Sequence, residues 1–254
     1  MLQPSDNPPA LVSVMLANNE TGALQDVAMV SRLLRNTPTI VHTDAVQAVG
    51  KIEVDFQSLG VHMMSVSAHK IYGPKGVGAL IVDKAVDWAP LFHGGGQEHG
   101  YRPGTENVAG IVGFGRAAEL ARSNLQQRQE HLSELRQLLE QQLRQVLPEA
   151  IVFSQHAARL PNTVFVALPG IDGETLLINL DQTGIAVASG SACESASLEP
   201  SHVLMAMGVE PAIARCAIRV SLGKDTSRED IEVFIRQLKG HAEKLHGIAA
   251  IAAI

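Results

Sequence analysis

The alternation of short apolar runs with helix-length segments is the feature that most limits how the first half of this chain can fold. Residues 23–35 carry apolar side chains at helical spacing. The apolar runs have strand length and the composition of buried strands, and they cover residues 11–17, 39–41, 63–66 and 77–82. This order predicts an α/β fold: a mostly parallel sheet flanked by helices, with ligands bound at the carboxyl ends of the strands.

The second half of the chain predicts a smaller α+β unit. Residues 107–146 are rich in Leu, Glu, Gln and Arg at helical spacing and indicate one long connecting helix. Beyond it we expect a strand at residues 163–168, a helix at 172–181 capped by Asp172, a strand at 218–221, and a last helix ending near residue 246. Thr226 and Glu229 have the spacing of a capping box that opens the last helix. The predicted domains are residues 1–115 and residues 116–254.

Composition narrows the classes of function. The chain has 254 residues and 46% hydrophobic content, enough for a sizeable buried core. A formal net charge of −6 without a long basic run argues against nucleic acid as a partner. The sequence shows no uninterrupted apolar stretch of membrane-spanning length and no secretory signal, so we expect no membrane association. Two cysteines, Cys193 and Cys216, do not make a disulfide framework and favour a reducing compartment, the cytoplasm.

The segment S-V-S-A-H-K-I-Y-G-P-K-G-V-G at residues 65–78 places Lys70 where an apolar strand runs into a loop rich in Gly and Pro. A lysine beside Ser67 and His69 can lose its hydration there, and its free amine can attack a carbonyl. Asp44 follows the preceding β-branched run, where a carboxylate could pair with a pyridinium nitrogen. Taken singly, the commoner interpretations are a solvated turn lysine and a helix-capping aspartate. Together the two residues suggest pyridoxal 5′-phosphate as a cofactor.

Further motifs accompany Lys70 and Asp44. They read N-N-E-T-G at residues 18–22, G-G-G-Q-E-H-G at 94–100, R-P-G-T-E-N at 102–107 and S-G-S-A-C-E-S-A-S-L-E-P at 189–200. With these motifs in this order, the sequence resembles the NifS/IscS-type cysteine desulfurases of the class V aminotransferase family, from about residue 11 to about residue 244. The resemblance implies a pyridoxal-phosphate transferase-like fold, with residues 1–115 as the C-terminal half of the large cofactor-binding domain.

The resemblance also implies roles around the cofactor ring. Lys70 would hold the cofactor covalently and move a proton at the substrate Cα, and Asp44 would keep the ring nitrogen protonated. Gln47 and Asn19 would hydrogen-bond the phenolic oxygen. For Gln47 a purely structural role is an open alternative.

Other residues match the family's phosphate and substrate contacts. Ser67 and His69 would bind the cofactor phosphate, because hydroxyl and imidazole donors suit a dianion. Thr105 would reach the phosphate of a neighbouring subunit, which implies a homodimer. Arg219, together with Asn19, would bind the substrate α-carboxylate, since a guanidinium recognises a carboxylate through two parallel hydrogen bonds. A surface ion pair is the alternative for Arg219.

Cys193 is the residue that would distinguish a desulfurase from an ordinary aminotransferase. It lies among Gly, Ser and Ala, which favours an exposed loop, and a thiolate there can attack sulfur. Cys216 enters an apolar strand and is expected in the core. By resemblance, Cys193 takes sulfur from L-cysteine as a persulfide, L-alanine is released, and the sulfur passes to an acceptor protein. That acceptor would be a scaffold or sulfur carrier in iron-sulfur cluster or thio-cofactor assembly.

The family's N-terminal part is not found in this sequence, and this leaves other functions open. Family members carry a Gly/Thr phosphate loop and a ring-stacking histidine before N-N-E-T-G, so we expect a fragment with impaired cofactor binding and an exposed sheet edge. A selenocysteine lyase and an inactive partner-binding module are the alternatives, although residues 189–200 favour the desulfurase. We expect no metal site, because the histidines lack ligand spacing. Structural or exposed roles are expected for His42, His62, His93 and His99.

Overall fold

The structure is a computed structural model that describes residues 8–189 and 199–252, with side chains described as far as residue 246. Within these residues the chain divides into two compact units. The first unit contains the described residues up to Ala17 together with Gln25–Leu125. The second unit contains Asn18–Leu24 and the described residues from Gln126 onward.

A four-stranded, mostly parallel sheet organises the first unit. Its strands are β1 (Leu11–Met15), β2 (Ile40–Asp44), β3 (Met63–Ser67) and β4 (Gly78–Val82), in that spatial order. The β1–β2 and β2–β3 pairs are parallel, whereas β4 runs antiparallel to β3. The helices of this unit are α1 (Val27–Leu34), α2 (Phe56–Leu59) and α3 (Val108–Ser123). The predicted fold class, a mostly parallel sheet flanked by helices, is confirmed.

Capping side chains set where these helices begin. Asp26 accepts a hydrogen bond of 2.8 Å from the Met29 N–H, and α1 therefore begins after Asp26 instead of at residue 23. Asn107 caps α3 in the same way through the Gly110 N–H. Each cap satisfies a backbone donor that the first turn of a helix leaves without a partner.

The single long helix predicted over residues 107–146 is wrong, because the structure has two helices there. α3 ends at Ser123, and α4 (Leu125–Val146) belongs almost entirely to the second unit. The break lies at Asn124, whose backbone leaves the helical region with φ −105° and ψ 9°. Its side-chain amide donates to the Leu120 carbonyl at 2.9 Å, so a local side-chain bond ends α3.

The second unit is an α+β structure, as predicted, but it is not the smaller of the two units, because it contains Asn18–Leu24 as well as the described residues from Gln126 onward. Its antiparallel sheet has the order β5 (Ile151–Val152), β6 (Thr163–Ala167) and β7 (Ala217–Ser221). The helices that follow α4 are α5 (Gly173–Asp181), α6 (His202–Ala206), α7 (Pro211–Ala214) and α8 (Arg228–Ala252). All five residues of β6 are buried, and its apolar face packs with Leu139 and Leu143 of α4 and Leu238 of α8. Burial of these side chains is the main stabilisation of the unit.

Two predicted helix starts in the second unit have different outcomes. Asp172 caps α5 as predicted, accepting from the Thr175 N–H at 2.8 Å. The capping box of α8 is formed one residue later than predicted, by Ser227 and Asp230. The Ser227 hydroxyl accepts from the Asp230 N–H at 3.1 Å, and the Asp230 carboxylate accepts from the Ser227 N–H at 2.8 Å. Thr226 instead accepts from the Gly223 N–H.

Across the described part of the chain, none of the helices combines the length and the apolar character needed to cross a membrane.

Candidate active site

Lys70 lies on a tight turn that its neighbours hold in place. β3 continues directly into a 3-10 turn, Ala68–Ile71, in which Ala68 and Ile71 are buried, Lys70 is half-buried and His69 is exposed. Ile71 packs against Ala117 and Ala121 of α3. The turn ends at Tyr72, which has a left-handed backbone with φ +67°. This packing fixes the backbone that presents Lys70.

Glycines allow the backbone to approach this turn closely. A Cβ on Gly73 would lie 3.0 Å from the Ala68 carbonyl oxygen, and a Cβ on Gly78 would lie 2.8 Å from the Val66 carbonyl oxygen. The distance at Gly78 is shorter than Cβ atoms adopt against backbone, and the distance at Gly73 is a tight contact. Gly78 is therefore required for the packing of β4, and Gly73 relieves crowding at the lysine turn.

Asp44 ends β2 beside the strand that leads to Lys70. It pairs in register with Ser65, and the next residue continues the ladder through a hydrogen bond of 3.0 Å from the Ala45 N–H to the Ser65 carbonyl. The Asp44 carboxylate accepts from the Val46 N–H at 2.9 Å, which orients it at the strand end. Because neighbouring parallel strands end at the same edge, Asp44 and the lysine turn share one edge of the sheet.

The predicted phosphate ligands are already in contact with each other. The Ser67 hydroxyl and His69 Nδ1 are hydrogen-bonded at 2.7 Å. Ser67 is the last residue of β3, and His69 lies in the turn that follows, on the other side of Ala68. A hydroxyl and an imidazole at this position can together donate to an anion.

Gln47 lies in the single hydrogen-bonded turn that follows Asp44. The turn is closed by bonds from the Ala48 and Val49 N–H groups to the Ala45 carbonyl. Lys51 donates to the Gln47 backbone carbonyl at 2.8 Å and to its side-chain Oε1 at 3.2 Å. The side-chain oxygen of Gln47 accepts from Lys51, and its amide NH₂ is the group that can donate to a ligand. The sequence analysis did not include Lys51, although its position four residues after Gln47 was a usable signal.

His42 links three strands through its side chain, which is a structural role of the kind predicted for it. Its Nδ1 is hydrogen-bonded to the Ser13 hydroxyl at 2.7 Å and its Nε2 to the Ser65 hydroxyl at 2.9 Å. This polar row joins β1, β2 and β3 on the sheet face that also carries Asp44, because residues 42 and 44 alternate with buried ones. The row fixes the register of the strands that place Asp44.

The predicted substrate ligands meet within the second unit. Arg219 lies on β7, and its Nη1 donates to the Asn19 backbone carbonyl at 2.9 Å. Asn19 belongs to the turn of N-N-E-T-G, where the Asn18 side chain accepts from the Glu20 and Thr21 N–H groups, each at 2.9 Å. The Arg219 guanidinium thus binds the backbone carbonyl of Asn19. This bond does not use the Asn19 side chain, which can therefore bind a ligand.

Glu20 is a buried residue that the sequence analysis missed. Its side chain is fully buried, and the Ser201 hydroxyl donates to its Oε2. Glu20 and Ser201 are 181 residues apart in the sequence, so no local pattern indicates the contact.

The remaining candidates have separate outcomes. Cys193 lies outside the described residues. Cys216 is buried, and its thiol contacts the Ala212 carbonyl at 3.2 Å, which confirms the predicted core position. Thr105 is exposed in the loop before α3. Among the residues that the structure describes, no three His, Cys, Asp or Glu side chains converge as metal ligands.

The donor set of the first unit fits a cofactor that combines an aldehyde, a ring nitrogen and a phosphate. Lys70 supplies an amine on a fixed turn, and Asp44 supplies a carboxylate at the same sheet edge. Gln47 supplies an amide donor, and the hydrogen-bonded pair of Ser67 and His69 supplies donors for an anion. These are the group types that pyridoxal 5′-phosphate requires.

Comparisons with known proteins identify relatives over most of the chain. A sequence model of the family described as "Aminotransferase class-V" matches residues 4–234. The chain is 46% identical over 230 residues to "Cysteine desulfurase IscS" of Clostridium botulinum, covering 90% of this chain and 58% of that protein. It is 43% identical over 240 residues to "Cysteine desulfurase NifS" of Azotobacter vinelandii, covering 94% of this chain and 60% of that protein.

Solved structures give the same result. A NifS-like protein from Rickettsia africae has a TM-score of 0.85 and 37% identity, covering 93% of this chain and 62% of that chain. A second NifS-like protein has a TM-score of 0.84 and 42% identity, covering 92% of this chain and 61% of that chain. The chain therefore spans about 60% of the length of the relatives that it matches.

Proposed function

Because this chain belongs to the class V aminotransferase family, we propose that it acts as a pyridoxal 5′-phosphate-dependent cysteine desulfurase. The reaction would remove sulfur from L-cysteine, release L-alanine and leave a persulfide on Cys193. One observation supports the proposal above the others: Lys70 on a fixed turn and Asp44 at the end of the adjacent strand share one sheet edge. The identity to cysteine desulfurases over some nine-tenths of the chain favours this chemistry over that of an aminotransferase.

The residues of the first unit would hold and orient the cofactor. When bound, pyridoxal phosphate supplies an aldehyde that links to amines and a protonated ring that withdraws electrons. Lys70 would hold that aldehyde and later carry a proton to or from the substrate Cα. Asp44 would hold the proton at the ring nitrogen, and the Gln47 NH₂ would donate to the phenolic oxygen. Ser67 and His69 would donate to the phosphate.

The residues of the second unit would bind the substrate and accept its sulfur. Arg219 and the side chain of Asn19 would hold the substrate α-carboxylate. The Cys193 thiolate would form a bond to the substrate sulfur while the substrate carbon–sulfur bond breaks. The bonding electrons stay with the carbon, which takes up a proton and leaves as part of L-alanine. One persulfide forms for each cysteine consumed, so atoms and electrons balance without an added oxidant.

The persulfide needs an acceptor and a reducing environment. We propose that the sulfur passes to a thiol of a scaffold or sulfur-carrier protein that serves iron-sulfur cluster or thio-cofactor assembly. A thiolate nucleophile works only while it stays reduced, which favours the cytoplasm as the location. Thr105, exposed in its loop, would contact the cofactor phosphate of a second subunit in a homodimer.

The first test is the attachment of the cofactor to Lys70. We expect borohydride reduction of the chain mixed with pyridoxal phosphate to add one cofactor mass to the peptide containing Lys70. Lys70→Ala should abolish the adduct, and Lys75→Ala, in the same loop but exposed, should not. An adduct that persists in Lys70→Ala would contradict the assignment.

The second test is the fate of the sulfur. L-Alanine release from L-cysteine should match persulfide formation on Cys193, and Cys193→Ser should abolish both when no reductant is present. Cys216→Ala, at a buried position, is the matched control and should retain both. Alanine release from selenocysteine but not from L-cysteine would instead favour a selenocysteine lyase.

A further inference from the structure

The loop that carries Asn19 is closed by its own backbone. The Asn18 N–H donates to the Ala23 carbonyl at 2.8 Å, and the Gly22 N–H donates to the Asn18 carbonyl at 3.0 Å. Gly22 has φ +73°, a left-handed backbone that favours glycine. The Asn19 loop is therefore tight, and a shift of its C-terminal end moves the Asn19 carbonyl with it.

A neighbouring segment, residues 158–160, holds the C-terminal end of the Asn19 loop. Backbone bonds of 2.8 Å join the two segments, from the Leu24 N–H to the Ala158 carbonyl and from the Leu160 N–H to the Gly22 carbonyl. Ala23 and Arg159 form an antiparallel bridge at the same place. The position of residues 158–160 therefore decides the position of the loop.

The Arg159 side chain fixes residues 158–160 to α4. Its Nη2 donates to Glu140 Oε1 at 2.7 Å, and the side chain is almost completely buried. Within the described residues, Nε and Nη1 of Arg159 have no hydrogen-bond partner, so Glu140 provides the bond that holds the guanidinium. α4 is a firm base for this bond, because its Leu139 and Leu143 pack in the core of the second unit.

This ion pair contributes a direction that apolar packing cannot supply. Replacing a buried ion pair by apolar side chains of similar volume is often neutral or stabilising. A charge-assisted hydrogen bond, however, is short and directional, and it holds donor and acceptor in one geometry. The bond between Glu140 and Arg159 therefore restricts where the backbone of residues 158–160 can lie.

The Asn19 loop in turn contacts Arg219. The Asn19 carbonyl accepts from Arg219 Nη1 at 2.9 Å. The backbone of Arg219 is fixed in the middle of β7, which pairs with β6 along its whole length. The direction of the long side chain is set by the acceptors that its guanidinium meets, and the Asn19 carbonyl is one of them.

We propose that Arg159 is a positioning residue, which fixes the Asn19 loop so that the loop carbonyl orients the Arg219 guanidinium. This role rests on the proposed function, in which Arg219 and the Asn19 side chain bind the α-carboxylate of L-cysteine. Arg159 does not contact the substrate in this proposal. It acts through the backbone of residues 22–24.

A set of variants separates positioning from stability. Arg159→Met breaks the ion pair and leaves Glu140 buried without its nearest partner. Combining Arg159→Met with Glu140→Leu removes both charges, so stability recovers while the directional bond stays lost. Arg159→Lys keeps a cation that can bond the same carboxylate oxygen, because Arg159 uses one nitrogen for this bond. Leu143→Ala, at a buried position of the same helix, is the matched control for lost stability.

The first readout needs no cofactor. In hydrogen–deuterium exchange of the full chain followed by NMR, Arg159→Met and the double variant should speed exchange of the Leu24 and Leu160 amides by about tenfold or more. The double variant should do so although its urea midpoint lies closer to the parent's than that of Arg159→Met. Arg159→Lys and Leu143→Ala should leave exchange at both amides within about threefold of the parent chain, because both keep the bond to Glu140.

The outcome in the double variant decides between the two roles of the ion pair. Parent-like exchange of the Leu24 and Leu160 amides there would show that the pair only stabilises, and the proposal would be wrong. If Arg159→Met does not fold, the double variant and Arg159→Lys decide. If the double variant does not fold either, the ion pair is needed for folding as a whole, and the positioning role is wrong.

The second readout is kinetic. With pyridoxal phosphate bound, the double variant should raise the KM for L-cysteine about tenfold and change kcat by less than about threefold, because a misdirected Arg219 weakens the binding of substrate and transition state alike. Arg159→Lys and Leu143→Ala should keep the KM within about twofold of the parent value. An unchanged KM in the double variant would overturn the proposal. If the parent chain forms no alanine, the desulfurase proposal fails, and the exchange experiment still decides whether Arg159 holds the Asn19 loop.

Discussion

Gly78 and Gly73 show how single residues set the place of Lys70. Gly78 pairs with Ser67 across β3 and β4, and a Cβ there would collide with the Val66 carbonyl oxygen. The Cβ of an alanine cannot move away from the backbone on which it is built. Relief of the collision would therefore shift β4, or the end of β3 that carries Ser67.

We expect Gly78→Ala to lower the free energy of unfolding by about 1–3 kcal/mol, the usual cost of forcing a group into packed structure. It should also reduce the cofactor adduct on Lys70, because the turn follows β3 directly. Urea unfolding and the borohydride mass measurement test both effects. Gly115→Ala is the control: Gly115 is exposed in α3 with open space around it, and we expect a gain of about 1 kcal/mol. If Gly78→Ala has the same free energy of unfolding and the same adduct yield as the parent chain, the packing argument is wrong.

Arg159 and Glu140 form a buried ion pair in the second unit. Arg159 Nη2 and Glu140 Oε1 are 2.7 Å apart, and the Arg159 side chain is only 1% exposed. Arg136 lies 3.9 Å from the same carboxylate oxygen. Burial lowers the pKa of Arg136, the charge of Arg159 lowers it further, and Glu140 opposes both. The pKa of Arg136 therefore depends on both charges of the Arg159–Glu140 pair.

Removing one partner of the ion pair should lower the free energy of unfolding strongly, and removing both partners should lower it much less. We expect Arg159→Met to lower the free energy of unfolding by about 3 kcal/mol, because it leaves the buried Glu140 carboxylate with a more distant partner. Adding Glu140→Leu should recover at least half of that loss in a double-mutant cycle measured by urea unfolding. Arg116→Met, which breaks an exposed pair with Glu119, should cost less than about 1 kcal/mol. A double variant as unstable as the single one would show that the charges are not the cause.

At the residue scale, the sequence predicted the side chains that follow strand ends and missed contacts between distant segments. Lys70, Asp44 and Ser67 were accessible because each lies within four residues of the end of a predicted strand run. The contacts of Glu20 with Ser201 and of Arg219 with Asn19 were not accessible, since each pair is about two hundred residues apart. A periodicity in the sequence carries no information on such pairs.

Among the elements, the strands were predicted more accurately than the helix ends. An apolar run defines a strand, whereas several capping residues near a helix start satisfy the same pattern. Thr226 with Glu229 and Ser227 with Asp230 both have capping-box spacing, and the structure uses the second pair. The break at Asn124 was missed because residues on both sides have helical periodicity and only a side-chain bond to Leu120 separates them.

The cap of α8 makes a prediction about pH. Hydrogen bonds from the Ser227 N–H and hydroxyl lower the pKa of Asp230 below its ordinary value of 3.8. Since the pKa is depressed in the folded chain, the stabilisation is present above the unfolded value and is lost as the pH falls through the folded value. Asp230→Asn should lower the Tm at pH 7 by no more than a few degrees, because the group is exposed. The difference from the parent should shrink as the pH falls below about 3.8, and a constant difference would contradict this.

On the scale of the molecule, the first unit exposes apolar surface on one helix and one strand. The exposed side chains include Val108, Ile111 and Val112 of α3 and Leu80 and Ile81 of β4. Within the described residues, β1 and β4 each pair with a single strand, so each has an open edge. Open edges and apolar patches favour association with other chains.

We expect Val112→Asp, at a side chain 66% exposed, to weaken self-association at least about tenfold in sedimentation velocity. The Tm of the dilute chain should not change, because an exposed side chain contributes little to folding. Ser123→Asp, at an exposed polar position of the same helix, adds the same negative charge, and this control should associate like the parent. Unchanged association of Val112→Asp would show that α3 is not the contact surface.

The short segment Asn18–Leu24 belongs to the second unit, although the residues on both sides of it belong to the first. Backbone bonds from Leu24 N–H to the Ala158 carbonyl and from Leu160 N–H to the Gly22 carbonyl, each 2.8 Å, fix the segment there. The polypeptide therefore passes from one unit to the other at three places along its length. No single peptide-bond cleavage, and no split of the gene at one codon, can yield two pieces that each hold one unit whole.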